Sequence, residues 1–119
     1  MPIRVAPRSK YHAVPLEVDG IRFASTREAR RYGELRLLER AGLIRDLTLQ
    51  PSFDLHAPNV IAATRWARGQ VIGRYRADFA YQTTDGTIIE DVKGVRTALY
   101  TWKKKHVEAQ YGIVIREVR

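Results

Sequence analysis

Two acids and a lysine are the residues of this chain whose spacing points to chemistry. Asp78 lies in a strand-like run, Arg74-Tyr75-Arg76-Ala77-Asp78-Phe79-Ala80-Tyr81, and Asp91-Val92-Lys93 closes the next, which starts at Thr87. An Asp85-Gly86 turn between the runs predicts a hairpin that sets the acids side by side. Residues two apart on a strand share a face, so Asp91 and Lys93 both point towards Asp78. Two carboxylates and an amine at one place make a site for a divalent metal and for phosphodiester cleavage. Carboxylates about 4 Å apart repel by roughly 4 kcal/mol at an effective dielectric near 20. Mg²⁺, which takes hard oxygen ligands, reverses that sign. Lys93 would then orient or help deprotonate the attacking water and stabilise the pentavalent phosphorane. The alternative is a structural Asp78–Lys93 salt bridge, with Asp91 solvated at a strand end.

The elements that must hold these groups are legible as periodicities. Leu16 to Phe23 alternates around Asp19-Gly20 and predicts a small hairpin. Ser25 opens a helix in which Ala29, Tyr32, Leu35, Leu38 and Ala41 recur at helical spacing, and Gly42 stops it. Leu47, Leu49, Phe53 and Leu55 alternate with polar residues, so 45–55 reads as one half-buried strand, with Pro51 marking an edge or a bulge. Residues 56–69 read as a loop. The strand over 70–81 sets Val71, Tyr75, Ala77, Phe79 and Tyr81 on an apolar face and Asp78 opposite, beside Arg74 and Arg76. In the strand over 86–93, Ile88 and Ile89 face opposite sides, as in a central strand covered on both faces. Thr97 caps a helix over 98–111, with Leu99 and Trp102 marking its core face and Val107 and Tyr111 beside them, and 113–118 is the last strand. The order after the hairpin is α-β-β-β-α-β, an α/β (α+β) fold with one mixed sheet between two helices.

Composition narrows the function. The chain has 119 residues, 45% of them apolar, enough for a single domain over 16–119. Residues 1–15 are basic and proline-broken, a flexible arm without the apolar stretch of a signal peptide. Cysteine is absent, which excludes disulfides and thiolate sites and suits a reducing cytoplasm. No apolar run approaches the roughly 20 residues of a membrane span. Lys and Arg number 21 against 13 acids, a net +8 that points to a polyanionic partner, nucleic acid first. Arg74, Arg76, Lys103 and Lys104 are candidates for gripping a phosphate backbone. Trp66, beside Arg65, could stack on an unpaired base or plug its loop. The three histidines lack ligand spacing, and no phosphate-cradling Gly-x-x-x-x-Gly-Lys is present.

Phe23-Ala24-Ser25-x-x-Glu28-Ala29-Arg30-Arg31-Tyr32, Gln50-Pro51, Ala77-Asp78-Phe79 and Asp91-Val92-Lys93-Gly94 together resemble the PD-(D/E)xK nuclease superfamily. Within it they look like a family of small phage and prophage proteins related to phage Holliday-junction resolvases and transposon end-cleaving nucleases. The resemblance covers about residues 24–118 and implies a restriction-endonuclease-like core. Ala77 stands where the superfamily name has proline. Asp91 replaces the more usual glutamate and follows Glu90, and parity with Lys93 selects Asp91 to face the metal.

The resemblance implies Mg²⁺ (Mn²⁺ substituting) ligated by Asp78, Asp91, the Val92 carbonyl and Glu28, with Lys93 as the catalytic lysine. Glu28 is also explained as the acid of a Ser25-x-x-Glu28 capping box. Gln50 becomes a candidate for positioning water or a phosphate, or is a plain cross-strand hydrogen-bonding residue. The expected activity is endonucleolytic cleavage of DNA by in-line attack of water, leaving a 5′-phosphate and a 3′-hydroxyl. A compact domain with no sequence-reading module suits branched DNA. Cutting both strands needs two active sites, so a symmetric homodimer is expected, while a chain that nicks acts alone. The alternatives are a non-catalytic DNA-binding module on the same fold, an RNA-processing nuclease and a basic assembly protein.

Overall fold

The computed structural model describes residues 4–5, 16–58 and 68–119. Strand β1 (Arg4–Val5) pairs with β2 (Leu16–Val18), which turns through Asp19-Gly20 into β3 (Ile21–Phe23). Both turn residues hold positive φ, 53° and 76°, the left-handed pair that a two-residue hairpin turn needs. Apart from Arg4–Val5, the expected arm over 1–15 lies outside the described residues, as do Arg65 and Trp66. Helix α1 (Thr26–Arg40) starts at Ser25, whose hydroxyl accepts from the Glu28 amide at 3.2 Å. Ala29, Tyr32 and Leu35 form its buried face.

The remaining elements are β4 (Arg45–Leu49), β5 (Ser52–Pro58), β6 (Arg68–Arg76), β7 (Phe79–Thr83), β8 (Gly86–Val92), α2 (Ala98–Tyr111) and β9 (Ile115–Val118). The sheet runs β4-β7-β8-β9; its β8–β9 pair is parallel and the others antiparallel. The fold is thus mixed α+β. Strand β8 is central, sending Val92 into a core with α1 and Ile89 into a second core with Val107 of α2 and Ile115 of β9. Among the described residues, no helix is long and apolar enough to cross a membrane.

Each of the two long strands expected, over 45–55 and 70–81, is broken in the middle. Gln50-Pro51 interrupts one, with Gln50 at φ 52° and Pro51 lacking an amide hydrogen; Ala77-Asp78 interrupts the other. The breaks face each other. Gln50 N donates to Asp78 O at 2.9 Å and Ala77 N to Pro51 O at 3.0 Å. One long ribbon therefore bends, with β4–β7 in the central sheet and β5–β6 beyond the bend. The apolar faces change sides there. Leu47, Leu49, Phe79 and Tyr81 pack with α1, whereas Phe53, Leu55, Tyr75 and Ala77 join the second core. Period-2 alternation runs through both breaks unbroken, so spacing alone implied one continuous face.

Three smaller expectations are corrected. Thr83 pairs with Gly86, so Thr84-Asp85 forms the β7–β8 turn, and Gly86 follows it at φ 121°. Helix α2 buries Val107 and packs Tyr100 on the second core, while Leu99 and Trp102 are 62% and 48% exposed. Both stripes have helical spacing; packing against β5 and β6 selects the one through Tyr100 and Val107. Val71, expected on a core face, is half exposed on β6.

Candidate active site

Asp78 sits at the bend, where the ribbon enters the central sheet. Its amide donates to Glu90 O at 3.0 Å, and its Oδ2 accepts from the Val92 amide at 2.7 Å. The carboxylate thus replaces a ladder acceptor at the end of β8. Asp91 is 1% exposed. Its Oδ2 accepts from the Tyr75 hydroxyl, while its buried Oδ1 has no hydrogen-bond partner. Lys93 Nζ stands 3.8 Å from that oxygen, within ion-pair range but beyond a hydrogen bond, and 4.3 Å from the centre of the Tyr100 ring. The alternative of an Asp78–Lys93 bridge with a solvated Asp91 is overturned, because Lys93 pairs with Asp91 and Asp91 is buried. Glu28, in the first turn of α1, lines one small cavity together with Asp78.

Electrostatics ties the four groups together. Burial, then the neighbouring Asp78 carboxylate, pushes Glu28 up to about 7. Burial also raises Asp78, against the Val92 amide and the Lys93 charge. Burial pushes Asp91 up to about 6, with Lys93 opposing and Glu117 adding to the rise. The charge of Lys93 favours the ionised form of all three acids. The site lacks positive charge for the carboxylates it buries.

Glu90 has the opposite environment. It is fully buried on the α1 side, where Arg31 donates to both its oxygens at 2.8 and 2.7 Å and Tyr81 donates its hydroxyl. Burial works against its charge, but Arg31 and Tyr81 outweigh it and hold the carboxyl below its ordinary range. Glu90 is thereby committed to α1, and Asp91 is the acid that faces Lys93.

A cleft of about 620 Å³ opens beside the acids, lined by Gln50, Ser52, Arg74, Arg76, Tyr100 and Lys103 together with Tyr75. Gln50 also borders a smaller cavity of about 110 Å³ that holds Glu28 and Asp78. The bend thus places Gln50 between the acids and the basic cleft. Arg74 is exposed and pairs loosely with Asp54 at 3.4 Å. Lys104 does not reach the cleft, because Glu117 holds it at 3.5 Å. Tyr75 and Tyr100, the partners of Asp91 and Lys93, were not apparent as site residues. Tyr75 reads as one more apolar residue of its strand. Tyr100 carries one signal, a position one helical turn before Lys103.

Among the described residues, no group of three or more acidic or histidine side chains is placed to hold a metal ion. The set that suits a hard cation is smaller: the Asp78 and Asp91 carboxylates and the backbone of Val92, whose amide Asp78 already accepts. The buried, unpartnered Oδ1 of Asp91 is the atom whose chemistry asks for one.

No curated protein and no solved structure matches the chain. A family model matches residues 8–118, nearly the whole length, and the site residues all fall inside it. The chain belongs to the family described as protein of unknown function (DUF1064).

Proposed function

We propose that this protein is a Mg²⁺-dependent DNA endonuclease of the PD-(D/E)xK type, of phage or prophage origin, acting on branched DNA. One observation carries the reading: Glu28, Asp78, Asp91 and Lys93 gather around a single bend of the chain, beside a cleft lined with Arg74, Arg76 and Lys103. Acids whose charges burial opposes, set beside a basic channel, suit a metal-assisted attack on a phosphate backbone.

Asp78, Asp91 and the Val92 carbonyl would hold the cation, with Glu28 as a further carboxylate. When bound, Mg²⁺ supplies charge neutralisation and Lewis-acid polarisation at the scissile phosphate. Arg74, Arg76 and Lys103 hold the flanking backbone. Gln50, between cleft and acids, orients the water or a non-bridging phosphate oxygen. Lys93, steadied over Tyr100, places its ammonium at the attacking water and stabilises the charge that grows on the phosphorane. In-line attack leaves a 5′-phosphate and a 3′-hydroxyl. A homodimer would present two such sites to opposite strands, in the cytoplasm.

Cleavage of plasmid and four-way-junction DNA with Mg²⁺ or Mn²⁺ tests the proposal, with loss expected in Asp78→Ala and Lys93→Ala. A second reading, a DNA-binding module without catalysis, draws on the absence of a ready three-acid cluster among the described residues. Tight binding with no cutting by wild-type protein selects it. Matched RNA substrates exclude or select an RNA-processing nuclease.

A further inference from the structure

A second basic feature lies on the opposite side of the acids from the cleft. A pocket of about 80 Å³ opens between the start of α1 and the ends of β8 and β9, lined by Arg27, Arg30, Arg31, Glu34, Val92 and Arg119 along with Val118. Its arginines are not equivalent. Arg31 is spent on Glu90 and Glu34, at 2.7 and 2.8 Å. Arg27, Arg30 and Arg119 are exposed, and none has an ion-pair or hydrogen-bond partner among the described residues. The acid in the pocket, Glu34, is already taken up by Arg31. Three uncommitted guanidinium groups therefore border a hollow of about the volume of a phosphate group, with no uncommitted acidic side chain in its wall.

The pocket adjoins the acids. Val92, in its wall, lies between Asp91 and Lys93. Arg27 reaches across to Gly94, where a Cβ would stand 2.1 Å from Arg27 Nη1. The missing side chain at Gly94 lets this guanidinium lie against the backbone next to Lys93. The acids thus have uncommitted cations on two sides: Arg76 and Lys103 in the cleft, and Arg27 and Arg30 beyond the end of β8.

We infer that the Arg27–Arg30–Arg119 pocket is a second phosphodiester-binding site, which holds the backbone of a DNA arm as it leaves the candidate active site on the α1 side. This rests on the endonuclease reading and deepens it. Two separated backbone grips flanking one cutting centre fix the angle between two DNA segments. That angle is a property of branched or bent DNA and not of a straight duplex. Each guanidinium that neutralises a duplex phosphate contributes about 0.9 to the slope of log affinity against log salt.

The experiment measures binding of full-length Asp78→Asn protein to a four-way junction and to a matched linear duplex across a salt series. Arg27→Ala/Arg30→Ala is added in one arm and Arg74→Ala/Arg76→Ala in another. Circular dichroism melting shows that each variant is folded. The inference expects Arg27→Ala/Arg30→Ala to lower the junction slope by about 2 and to weaken the junction at least tenfold more than the linear duplex. If that pair leaves slope and preference unchanged while Arg74→Ala/Arg76→Ala lowers the slope, the inference falls and the endonuclease reading stands. An equal loss on junction and duplex overturns the arm-holding role. If no variant binds DNA, including the Asp78→Asn parent, both fall together.

Discussion

Glu90 and Asp91 are neighbours on one strand, equally buried, and opposite in fate. Glu90 faces α1 and meets a guanidinium that donates to both its oxygens, plus a tyrosine hydroxyl. Asp91 faces the second core and receives one hydroxyl on Oδ2 and, on Oδ1, a lysine at 3.8 Å with no hydrogen bond. The first arrangement satisfies a buried charge, and the second leaves one short. A protein that can build the first within one residue of the second does not lack the means to neutralise Asp91. Incomplete neutralisation beside a cleft is what the proposed binding of a cation and a phosphate would use.

The comparison breaks most visibly through activity. Lys93→Ala and Asp91→Asn should each reduce DNA cleavage by about 10²–10⁴-fold, whereas a variant at Glu90 should cut normally at temperatures where it is folded; single-turnover assays check both. Glu90→Ala instead empties a fully buried site and strips the half-buried Arg31 guanidinium and the Tyr81 hydroxyl of their shared acceptor, and should cost roughly 3–5 kcal/mol in urea unfolding. A milder loss from Glu90→Ala than from Asp91→Ala would reverse the assignment of structural and functional acid. Mg²⁺ at a hundred times its Kd should stabilise the wild type by about 2.7 kcal/mol, and Asp91→Asn should abolish that thermal shift.

The smallest effect is the pH dependence of the metal-free protein. Glu28 rises from an ordinary 4.5 to about 7 on folding, and Asp91 from 3.8 to about 6. The folded chain therefore holds more protons than the unfolded chain between those values. The stabilisation is complete below about pH 4 and is lost as pH climbs through 6 and 7. Melting in chelator should show this decline. Glu28→Gln should flatten it and raise stability at pH 8 by on the order of 1–2 kcal/mol, discounted for the partial exposure of Glu28. A wild-type curve that rises over that window would remove the case that burial strains these acids.

What the sequence disclosed was local. Asp78, Asp91 and Lys93 stood out because acids and a lysine on β-strands are costly without a purpose, and residue parity separated Asp91 from Glu90. The two helices carried their own caps, Ser25 and Thr97. The bend was hidden, because alternation continues across Gln50-Pro51 and Ala77-Asp78 while the buried side changes. Pro51 was its single trace. The core face of α2 was hidden too, since Leu99 and Trp102 fit a helical stripe as well as Tyr100 and Val107 do. Tyr75 could not be told from a packing aromatic, because its role depends on a carboxylate sixteen residues away.

The joint between the inner sheet and the outer ribbon has a mechanical corollary. Arg74 and Arg76 ride on the outer ribbon, and Asp78 is the next residue but one after Arg76. Two amide bridges, Gln50 to Asp78 and Ala77 to Pro51, are what hold the ribbon at its angle there. Pulling on the arginines therefore tugs the acid's own backbone, with no intermediary to absorb the strain. Substrate grip and acid placement should move as one lever, and slowed hydrogen exchange at the Gln50 and Ala77 amides on DNA binding would register the lever locking.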